Sequence, residues 1–201
     1  ANFQIGTTVV TWTVTDSSGN STTASQNVIV VDEILPTLVV PSNITLNANN
    51  GCVAYNVALG TPITSDNCAI ASLTNNAPTV YTEGITEITW TVTDSSGNTT
   101  TGIQTVTVLD TVNPTIIAPS PVTVSATVDC SVTNVSLGTP VTSDNCSIAS
   151  VTNNAPLVFN QGTTTVTWTV VDGSGNSATA TQIVTVVDGV LPSISAPANI
   201  V

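Results

Sequence analysis

Hydrophobic and polar residues alternate along several stretches of the chain, most clearly over residues 88–93, which read ITWTVT. A period of two is typical of a β-strand with one buried face. The turn-forming residues 94–98 follow at once, and residues 101–110 carry valines at the alternate positions 106 and 108. The pattern therefore predicts two antiparallel strands joined by a short turn.

Shorter strands are indicated before this hairpin. Pro36 and Pro41 bracket a short first strand, because proline is confined to the ends and edges of strands. The pair Asn50-Gly51 is typical of a tight turn, and it leads into a strand over residues 53–59. No stretch combines a helical period with helix caps. About seven short strands per unit predict an all-β fold of tandem immunoglobulin-like β-sandwiches.

The whole pattern recurs every 78 residues without a gap, as the positions of Trp12, Trp90 and Trp168 show. Self-similarity at a fixed period indicates an array of like units, and a unit of this size suits a small domain. We expect the array to continue beyond this chain. The predicted division is the C-terminal part of one repeat at 1–33, full repeats at 34–111 and 112–189, and the first strand of a further repeat at 190–201.

Aromatic residues recur with the repeat. Trp90 and Trp168 alternate with threonine between valine or isoleucine residues, so we expect them in the core rather than on a sugar-binding surface. Tyr81 and Phe159 are expected in the core as well, with an exposed rim as the alternative position.

Composition excludes several functions. The chain has no Lys, Arg or His, and its 12 acidic residues give a formal net charge of −12. Affinity for nucleic acid depends on Lys and Arg, so we expect no nucleic-acid partner. No hydrophobic run approaches the ~18 residues of a membrane span, so we expect no direct membrane insertion. Without His or Lys, the usual general bases are missing, and we expect neither enzyme activity nor catalytic residues.

Each full repeat contains two cysteines. Four cysteines allow three pairings, and repeat symmetry favours pairing within a repeat, Cys52 with Cys68 and Cys130 with Cys146. A bridge across ~16 residues would contribute roughly 3 kcal/mol in the chain-entropy description. Free thiols are the alternative, and a zinc site is disfavoured because histidine is absent. Disulfides imply an oxidising, extracellular setting.

Acidic and amide residues in loops and at strand ends suggest calcium, a hard cation that prefers oxygen ligands. Calcium is the one cofactor that the sequence suggests. The alternative is that Asp94 and Asn98 are turn residues and that Asp66 hydrogen-bonds its own backbone. The candidate ligands are Asp32, Asp66, Asp94, Asn98, Asp110, Asp144, Asp172 and Asn176.

Two motifs recur in both full repeats. Residues 66–68 and 144–146 both read Asp-Asn-Cys, and residues 84–98 read GITEITWTVTDSSGN. At this spacing the motifs resemble those of the hyalin repeat, or HYR domain. The near-identical copies, the Thr- and Asn-rich composition and the single cysteine pair per repeat are most similar to the giant surface adhesins of gliding Bacteroidota. The resemblance implies an immunoglobulin-like extracellular module with a role in cell-surface adhesion and no catalytic residues.

The expected function is structural. We expect a stalk or filament segment of a large secreted adhesin, which spaces an adhesive tip from the cell in surface attachment or gliding motility. Its partners would be neighbouring repeats of the same chain, together with surface glycans or other filament chains, and its location would be the cell surface. The alternative is a binding module in which each repeat carries a site for glycan or protein.

Overall fold

The computed structural model describes residues 1–126 and 129–197, and it contains no helix within these ranges. All regular structure there is β. The strands are β1 (Gly6–Thr15), β2 (Ser21–Val30), β3 (Thr37–Val39), β4 (Ile44–Asn47), β5 (Val53–Tyr55), β6 (Ile63–Ser65), β7 (Ile70–Asn75), β8 (Val80–Thr82), β9 (Gly84–Asp94), β10 (Thr99–Leu109), β11 (Thr115–Ile117), β12 (Val122–Ala126), β13 (Ser131–Thr133), β14 (Val141–Ser143), β15 (Ile148–Asn153), β16 (Val158–Asn160), β17 (Gly162–Asp172) and β18 (Ser177–Asp188).

The second full repeat is a β-sandwich. Its larger sheet has four strands in the order β12-β18-β17-β15, and two short pairs, β11 with β14 and β13 with β16, form the other side. β12 runs parallel to β18, with Val122 opposite Val184, and the other pairs are antiparallel. The first full repeat has the same order, β4-β10-β9-β7, with the pairs β3–β6 and β5–β8.

These sheets confirm the predicted fold class of tandem, all-β, immunoglobulin-like sandwiches. Each full repeat has eight strands, β3–β10 and β11–β18, where the sequence predicted about seven. The difference arises because several strands are three residues long. A period of two cannot be recognised over so few residues, so the sequence does not separate such strands from the loops beside them.

The core of the second repeat lies between its four-stranded sheet and its two short pairs. Alternate residues near the middle of β17 and β18 are buried, as a period of two predicts. Trp90 and Trp168 are each 6% exposed, and Tyr81 and Phe159 are each 3% exposed, which confirms the expected core positions. The buried cluster consists of Ala126, Phe159, Val166, Trp168, Val184 and Val186.

A buried glutamine completes each of these cores. Trp168 Nε1 donates a hydrogen bond to Gln182 Oε1 at 3.1 Å. Gln182 Nε2 in turn donates to the carbonyl oxygens of Ser120 and Leu137, both at 2.8 Å. Every polar atom of this buried amide therefore has a partner, which removes the usual penalty for burying it. Gln104 makes the same three hydrogen bonds in the first full repeat.

Two terminal segments of the chain differ from the full repeats. The predicted part of a repeat at residues 1–33 contains the hairpin β1–β2, in which Trp12 is 63% exposed. Residues 190–197 form no strand, whereas the equivalent strands β3 and β11 are each paired with a later strand, β6 or β14. The rest of the strand predicted over 190–201 lies outside the described residues.

The chain divides into two compact units. The first consists of Ala1–Leu46 and Tyr55–Val108, and the second consists of Asn47–Ala54 together with the residues from Leu109 onward. The segment Asn47–Ala54 therefore belongs to the first repeat in sequence and to the second unit in space. Sequence periodicity alone does not assign this segment to a unit.

Candidate functional site

The Asp-Asn-Cys loop at residues 144–146 connects β14 to β15 in the second unit. Asp144 Oδ2 accepts a hydrogen bond at 2.8 Å from the backbone N–H two residues later, which closes the loop as a tight turn. Asn145 Nδ2 donates to Asp110 Oδ1 at 3.1 Å and to the carbonyl oxygen of Gly51 at 3.3 Å. The loop is thus held at two further points within the same unit.

The disulfide bond of the structure joins two copies of the repeat. Cys52 is bonded to Cys146, with Cα atoms 4.8 Å apart and a sequence separation of 94. The predicted pairs Cys52–Cys68 and Cys130–Cys146 were therefore wrong, and Cys68 and Cys130 are exposed free thiols. The reason is tertiary, because the segment Asn47–Ala54 that carries Cys52 packs as part of the second unit.

Two carboxylates face each other beside this disulfide. Asp110 is 6% exposed, and its Oδ1 accepts hydrogen bonds from the Val112 backbone N–H and from Asn145 Nδ2. Its Oδ2 is buried without a partner, and so is Oδ1 of Asp144. One oxygen of each carboxylate and the sulfur of Cys146 lie within 4.8 Å of one another. The sulfur is in a disulfide, so the potential cation ligands are the two carboxylates.

The first unit repeats this arrangement with Asp32 and Asp66. Asp32 Oδ1 accepts hydrogen bonds from Asn67 Nδ2 and from the Ile34 backbone N–H, both at 3.1 Å. The pKa of Asp32 is held below its ordinary value mainly by the hydrogen bond from Asn67 and, to a smaller extent, by the one from Ile34. Asp32 Oδ2 and Asp66 Oδ1 are buried without a partner. Their carboxylates lie within 4.8 Å of each other and of the Cys68 sulfur.

The thiol of Cys68 lies beside these carboxylates. The pKa of the Cys68 thiol is raised above its ordinary value. A hydrogen bond with Asp32 is the largest cause, and burial is the second. Asn67 Nδ2 also approaches the Cys68 sulfur at 3.2 Å. The negative charges of the site therefore keep this thiol protonated to a higher pH than that of an isolated cysteine.

The hairpin aspartates have a different role. Asp94 Oδ1 accepts hydrogen bonds from the backbone N–H groups of Ser96 and Asn98, both at 2.8 Å. Asp94 Oδ2 accepts a hydrogen bond from Asn98 Nδ2 at 2.7 Å. Burial raises the pKa of Asp94, but the hydrogen bonds from Asn98 and Ser96 outweigh it and hold the pKa below its ordinary value. Asp172 and Asn176 repeat these contacts. These four residues are therefore arranged as turn residues, which was the alternative to calcium binding.

The turn is nevertheless connected to the carboxylate pair. Asn98 Nδ2 donates to the carbonyl oxygen of Asp32 at 3.0 Å, and Asn176 Nδ2 donates to that of Asp110 at 3.2 Å. The turn is thus hydrogen-bonded to the residue that carries one of the paired carboxylates in each unit. Among the described residues, the buried side-chain oxygens without a partner belong to Asp32, Asp66, Asp110 and Asp144.

Sequence reasoning missed two components of these units. It did not identify the Gly51 carbonyl as a partner of Asn145, and a backbone acceptor leaves no signal in a sequence. It also missed the buried glutamines, although the sequence contains a signal for them. Gln26, Gln104 and Gln182 recur at the repeat period, and each precedes a pair of valines at the next two alternate positions of the strand.

The class of protein follows from this geometry. The chain consists of tandem immunoglobulin-like β-sandwich repeats, each with an Asp-Asn-Cys loop and a long hairpin that turns through an Asp–Asn pair. The HYR domain family matches residues 31–108 and 109–186, and the chain belongs to this family. The resemblance seen in the sequence is thereby confirmed at the level of the family.

Two relatives are both named hyalin. Hyalin of Strongylocentrotus purpuratus is 40% identical over 114 residues, which cover 53% of this chain and 10% of that protein. Hyalin of Lytechinus variegatus is 38% identical over 113 residues, which cover 53% of this chain and 21% of that protein. The match thus spans a small part of the length of either relative.

Solved structures of cadherin domains are distantly similar. Extracellular cadherin domains 1–5 of protocadherin gamma B2 have a TM-score of 0.37 at 15% identity, over 91% of this chain and 46% of that one. Domains EC1-2 of human mucin-like protocadherin have a TM-score of 0.42 at 14% identity, over 76% of this chain and 99% of that one. Among the described residues, no helix has the length and apolar character needed to cross a membrane.

Proposed function

We propose that this chain is a structural segment of an extracellular, adhesion-related repeat protein, in which the repeats form a stalk that spaces an adhesive tip from the cell. The observation that carries the proposal is the bond between Cys52 and Cys146, which ties one copy of the repeat to the next. A disulfide that closes a loop of ~95 residues contributes between about 4 and 5 kcal/mol in the chain-entropy description. Such a tie also limits how far the chain can be extended under load.

Composition and family support the same proposal. A structural disulfide suits an oxidising extracellular environment. A chain with no Lys, Arg or His offers neither trypsin cleavage sites nor the usual general bases, which favours a scaffold over an enzyme. The HYR family resemblance implies adhesion at the cell surface, and the near-identical copies favour a giant adhesin used in surface attachment or gliding motility.

Stretching single molecules of the 201-residue chain tests the load-bearing role. While the disulfide is intact, the segment between Cys52 and Cys146 cannot extend. A reductant should therefore add about 30 nm of contour length, at ~3.5 Å per residue. Cys52→Ser should show the longer extension without reductant, and the matched control Cys68→Ser should behave like the parent chain. An extension that reductant leaves unchanged would exclude a load-bearing tie.

The alternative function, a binding module, is tested by a different measurement. The chain, immobilised through its C-terminus, is probed against a glycan array and against soluble copies of extracellular matrix proteins. A scaffold segment should bind none of them. Saturable binding to one glycan or protein, lost on a substitution in a repeat, would replace the stalk proposal with the binding module.

We further propose that each pair of facing carboxylates binds a divalent cation, with calcium as the preferred ion. The observation that supports this proposal is made at Asp110. Its buried Oδ2 has no hydrogen-bond partner, and its carboxylate lies beside that of Asp144. An unpaired buried carboxylate oxygen is unfavourable, and a hard cation would satisfy both oxygens at once. Calcium prefers six to eight oxygen ligands, so water would supply most of them. Asp32 and Asp66 would form the equivalent site.

Calorimetric titration with calcium tests this site. We expect two sites per chain and a higher melting temperature in calcium than in chelator. Asp144→Asn should remove one site, whereas the control Glu87→Gln removes the same charge from an exposed strand position and should leave both sites intact. Magnesium should bind more weakly, because it demands a stricter octahedral geometry. An identical melting temperature in calcium and in chelator would end the proposal.

A further inference from the structure

The chain contains one Asn-Gly pair, Asn50-Gly51, and this pair stands directly before Cys52. An asparagine followed by glycine is prone to ring closure, in which the backbone nitrogen of the glycine attacks the side-chain carbonyl carbon of the asparagine. Glycine favours the attack because it has no Cβ in the way and the greatest backbone freedom. The attack is also intramolecular, so the reacting groups are already close together. The pair is therefore the most reactive asparagine site that the sequence offers.

The pair lies in a tight turn of the second unit. Gly51 and Cys52 form a two-residue loop between Asn50 and Val53, whose backbone groups exchange hydrogen bonds at 3.2 and 3.4 Å. Gly51 has a φ of 62°, a left-handed conformation that glycine adopts without strain. Asn50 and Gly51 are both exposed. Water and hydroxide therefore reach both groups that would react.

The side-chain amide of Asn50 is free to turn towards the backbone. Within the described residues, neither the Asn50 side chain nor the Gly51 backbone N–H has a hydrogen-bond partner. By contrast, several asparagines that precede serine, threonine or cysteine donate Nδ2 to an aspartate, namely Asn20, Asn67, Asn98, Asn145 and Asn176. Those amides would have to break a hydrogen bond before they could react, whereas Asn50 would not.

We propose that Asn50 is a site of spontaneous deamidation, with water as the co-reactant, and that its conversion to isoaspartate loosens the turn that holds Cys52. The Gly51 backbone nitrogen forms a bond to Asn50 Cγ, and the bond between Cγ and Nδ2 breaks. The amide nitrogen leaves as ammonia and takes with it the proton of the Gly51 N–H. The product of this step is a five-membered cyclic imide.

Water then opens the imide at either of its two carbonyl carbons. Opening at Cγ restores the normal backbone and leaves aspartate at position 50. Opening at the backbone carbonyl carbon leaves isoaspartate, in which the main chain runs through Cγ. In sum, one water is consumed, one ammonia is released, and no group is oxidised or reduced.

Isoaspartate would lengthen the main chain of this turn by one methylene group. The Asn50 backbone carbonyl, which accepts from the Val53 N–H at 3.4 Å, would become part of a free carboxylate. The next two residues hold the turn to the 144–146 loop, because the Gly51 carbonyl accepts from Asn145 and Cys52 is bonded to Cys146. Loosening the turn therefore exposes the disulfide to attack by small thiols. This inference is independent of the stalk function and of cation binding.

Peptide mapping by mass spectrometry, after incubation of the folded chain at neutral and mildly alkaline pH, measures the reaction. Chymotrypsin should release residues 47–55 and 110–137 from the reduced chain, so Asn50 and Asn134 are compared in one digest. Asn134 is also exposed, but the branched side chain of Val135 hinders the attack there. We expect Asn50 to convert at least about tenfold faster than Asn134, which corresponds to about 1.4 kcal/mol in activation free energy. Equal rates at the two asparagines would overturn the proposal.

A comparison with the unfolded chain tests the contribution of the fold. Because the fold leaves the pair open, Asn50 in the folded chain should convert less than about tenfold more slowly than in urea. Suppression by a larger factor would mean that the turn protects Asn50, and would overturn the proposal. The rate should also rise with pH, because the attacking nitrogen must lose its proton.

The effect on the turn is measured by the reduction of the disulfide. Parent chain incubated until Asn50 has converted should lose the Cys52–Cys146 bond to reduced glutathione several-fold faster than fresh chain, as followed by thiol alkylation and mass spectrometry. Asn50→Ser, which cannot form the imide, is the matched control, and the same incubation should leave its rate of reduction unchanged. Equal rates of reduction for fresh and converted parent chain would overturn the proposed loosening of the turn.

Discussion

The hairpins β1–β2 and β17–β18 have nearly the same sequence pattern and the same backbone pairing, yet only one of them is buried. Trp12 lies opposite Ala24 and Trp168 opposite Ala180, so the registers are equivalent. Each tryptophan also donates its Nε1–H to a glutamine Oε1, at 3.3 Å and 3.1 Å respectively. Trp12 is nevertheless 63% exposed, whereas Trp168 is 6% exposed.

The comparison separates local from tertiary structure. Strand pairing, the turn and the Trp–Gln hydrogen bond arise within the hairpin and are present in both places. Burial arises when the other strands of the repeat cover one face of the hairpin, as Phe159 of β16 does beside Trp168. An isolated two-stranded hairpin is at best marginally stable in water. We therefore expect matched substitutions in the two hairpins to have very different effects on unfolding.

The largest difference should follow removal of the tryptophan. Trp168→Ala deletes a buried aromatic side chain and should lower the free energy of unfolding of the second unit by about 3–5 kcal/mol. Trp12→Ala at the exposed position should change it by less than about 0.5 kcal/mol. Urea denaturation, followed by far-ultraviolet circular dichroism, measures both. Similar losses for the two variants would mean that Trp12 is covered in solution.

The next largest difference should involve the glutamine. Gln182→Leu would leave Trp168 Nε1 and the carbonyl oxygens of Ser120 and Leu137 without a partner in the core. Buried polar groups without partners cost about 1–3 kcal/mol, so we expect a loss of this size in urea. Gln26→Leu, in the exposed hairpin, should change stability by less than about 0.5 kcal/mol. A neutral Gln182→Leu would show that water replaces the amide in the core.

A smaller effect should follow substitution of the turn glycines. Gly175 has φ of 91° and Gly19 has φ of 88°, and nothing lies within 4 Å of a Cβ added at either position. The substitution to alanine therefore tests backbone strain alone, which should amount to about 1 kcal/mol at Gly175 in urea. At Gly19 the same strain should loosen the hairpin locally, which faster amide hydrogen exchange in β1–β2 would reveal. A lower free energy of unfolding of the whole chain in Gly19→Ala would contradict the distinction between the hairpins.

The smallest effect should be a pH dependence that involves one hairpin. Burial raises the pKa of Asp172, but hydrogen bonds from Asn176 and Ser174 outweigh it and hold the pKa below its ordinary value. A lowered folded-state pKa contributes stability above the unfolded-state pKa of about 4, and this contribution is lost as the pH falls towards the folded-state pKa. Urea midpoints measured from pH 6 downward should therefore fall below about pH 4–5, and less steeply in Asp172→Asn.

Asp16 provides the control for that titration. The pKa of Asp16 is also lowered by hydrogen bonds from Asn20. The bond from the Asn20 side chain has the larger effect, and the bond from the Asn20 backbone has the smaller. Because β1–β2 is exposed, titration of Asp16 should alter hairpin resonances in nuclear magnetic resonance spectra without moving the urea midpoint. A shift of the midpoint in Asp16→Asn equal to that in Asp172→Asn would contradict this expectation.

Much of the fold and part of the site could be predicted from the sequence. Alternation identified Trp90 and Trp168 as core residues, because the side-chain period of a strand is a local property. The turn interpretation of Asp94 and Asn98 agrees with their hydrogen bonds, because Asx-type turns are also local. The sequence could not show which carboxylate oxygens remain unpartnered, since that depends on contacts such as Asn145 with Asp110.

The cysteine pairing shows why the prediction failed at longer range. The 78-residue repeat is equally consistent with a disulfide within each repeat and with a disulfide from each repeat to the next. Loop closure favours the shorter separation of ~16 over ~94 residues by only about 1.6 kcal/mol, which packing easily outweighs. The bond between copies leaves the fold class intact and replaces two internal ties by one tie between repeats.

The sequence by itself determined the repeat period, the strands, the turns and the side of each strand that faces inward, because these depend on neighbouring residues. The tertiary structure alone decided which cysteines are bonded and which carboxylates face each other. Those outcomes depend on which distant segments pack together, and the placement of Asn47–Ala54 in the second unit is the clearest case.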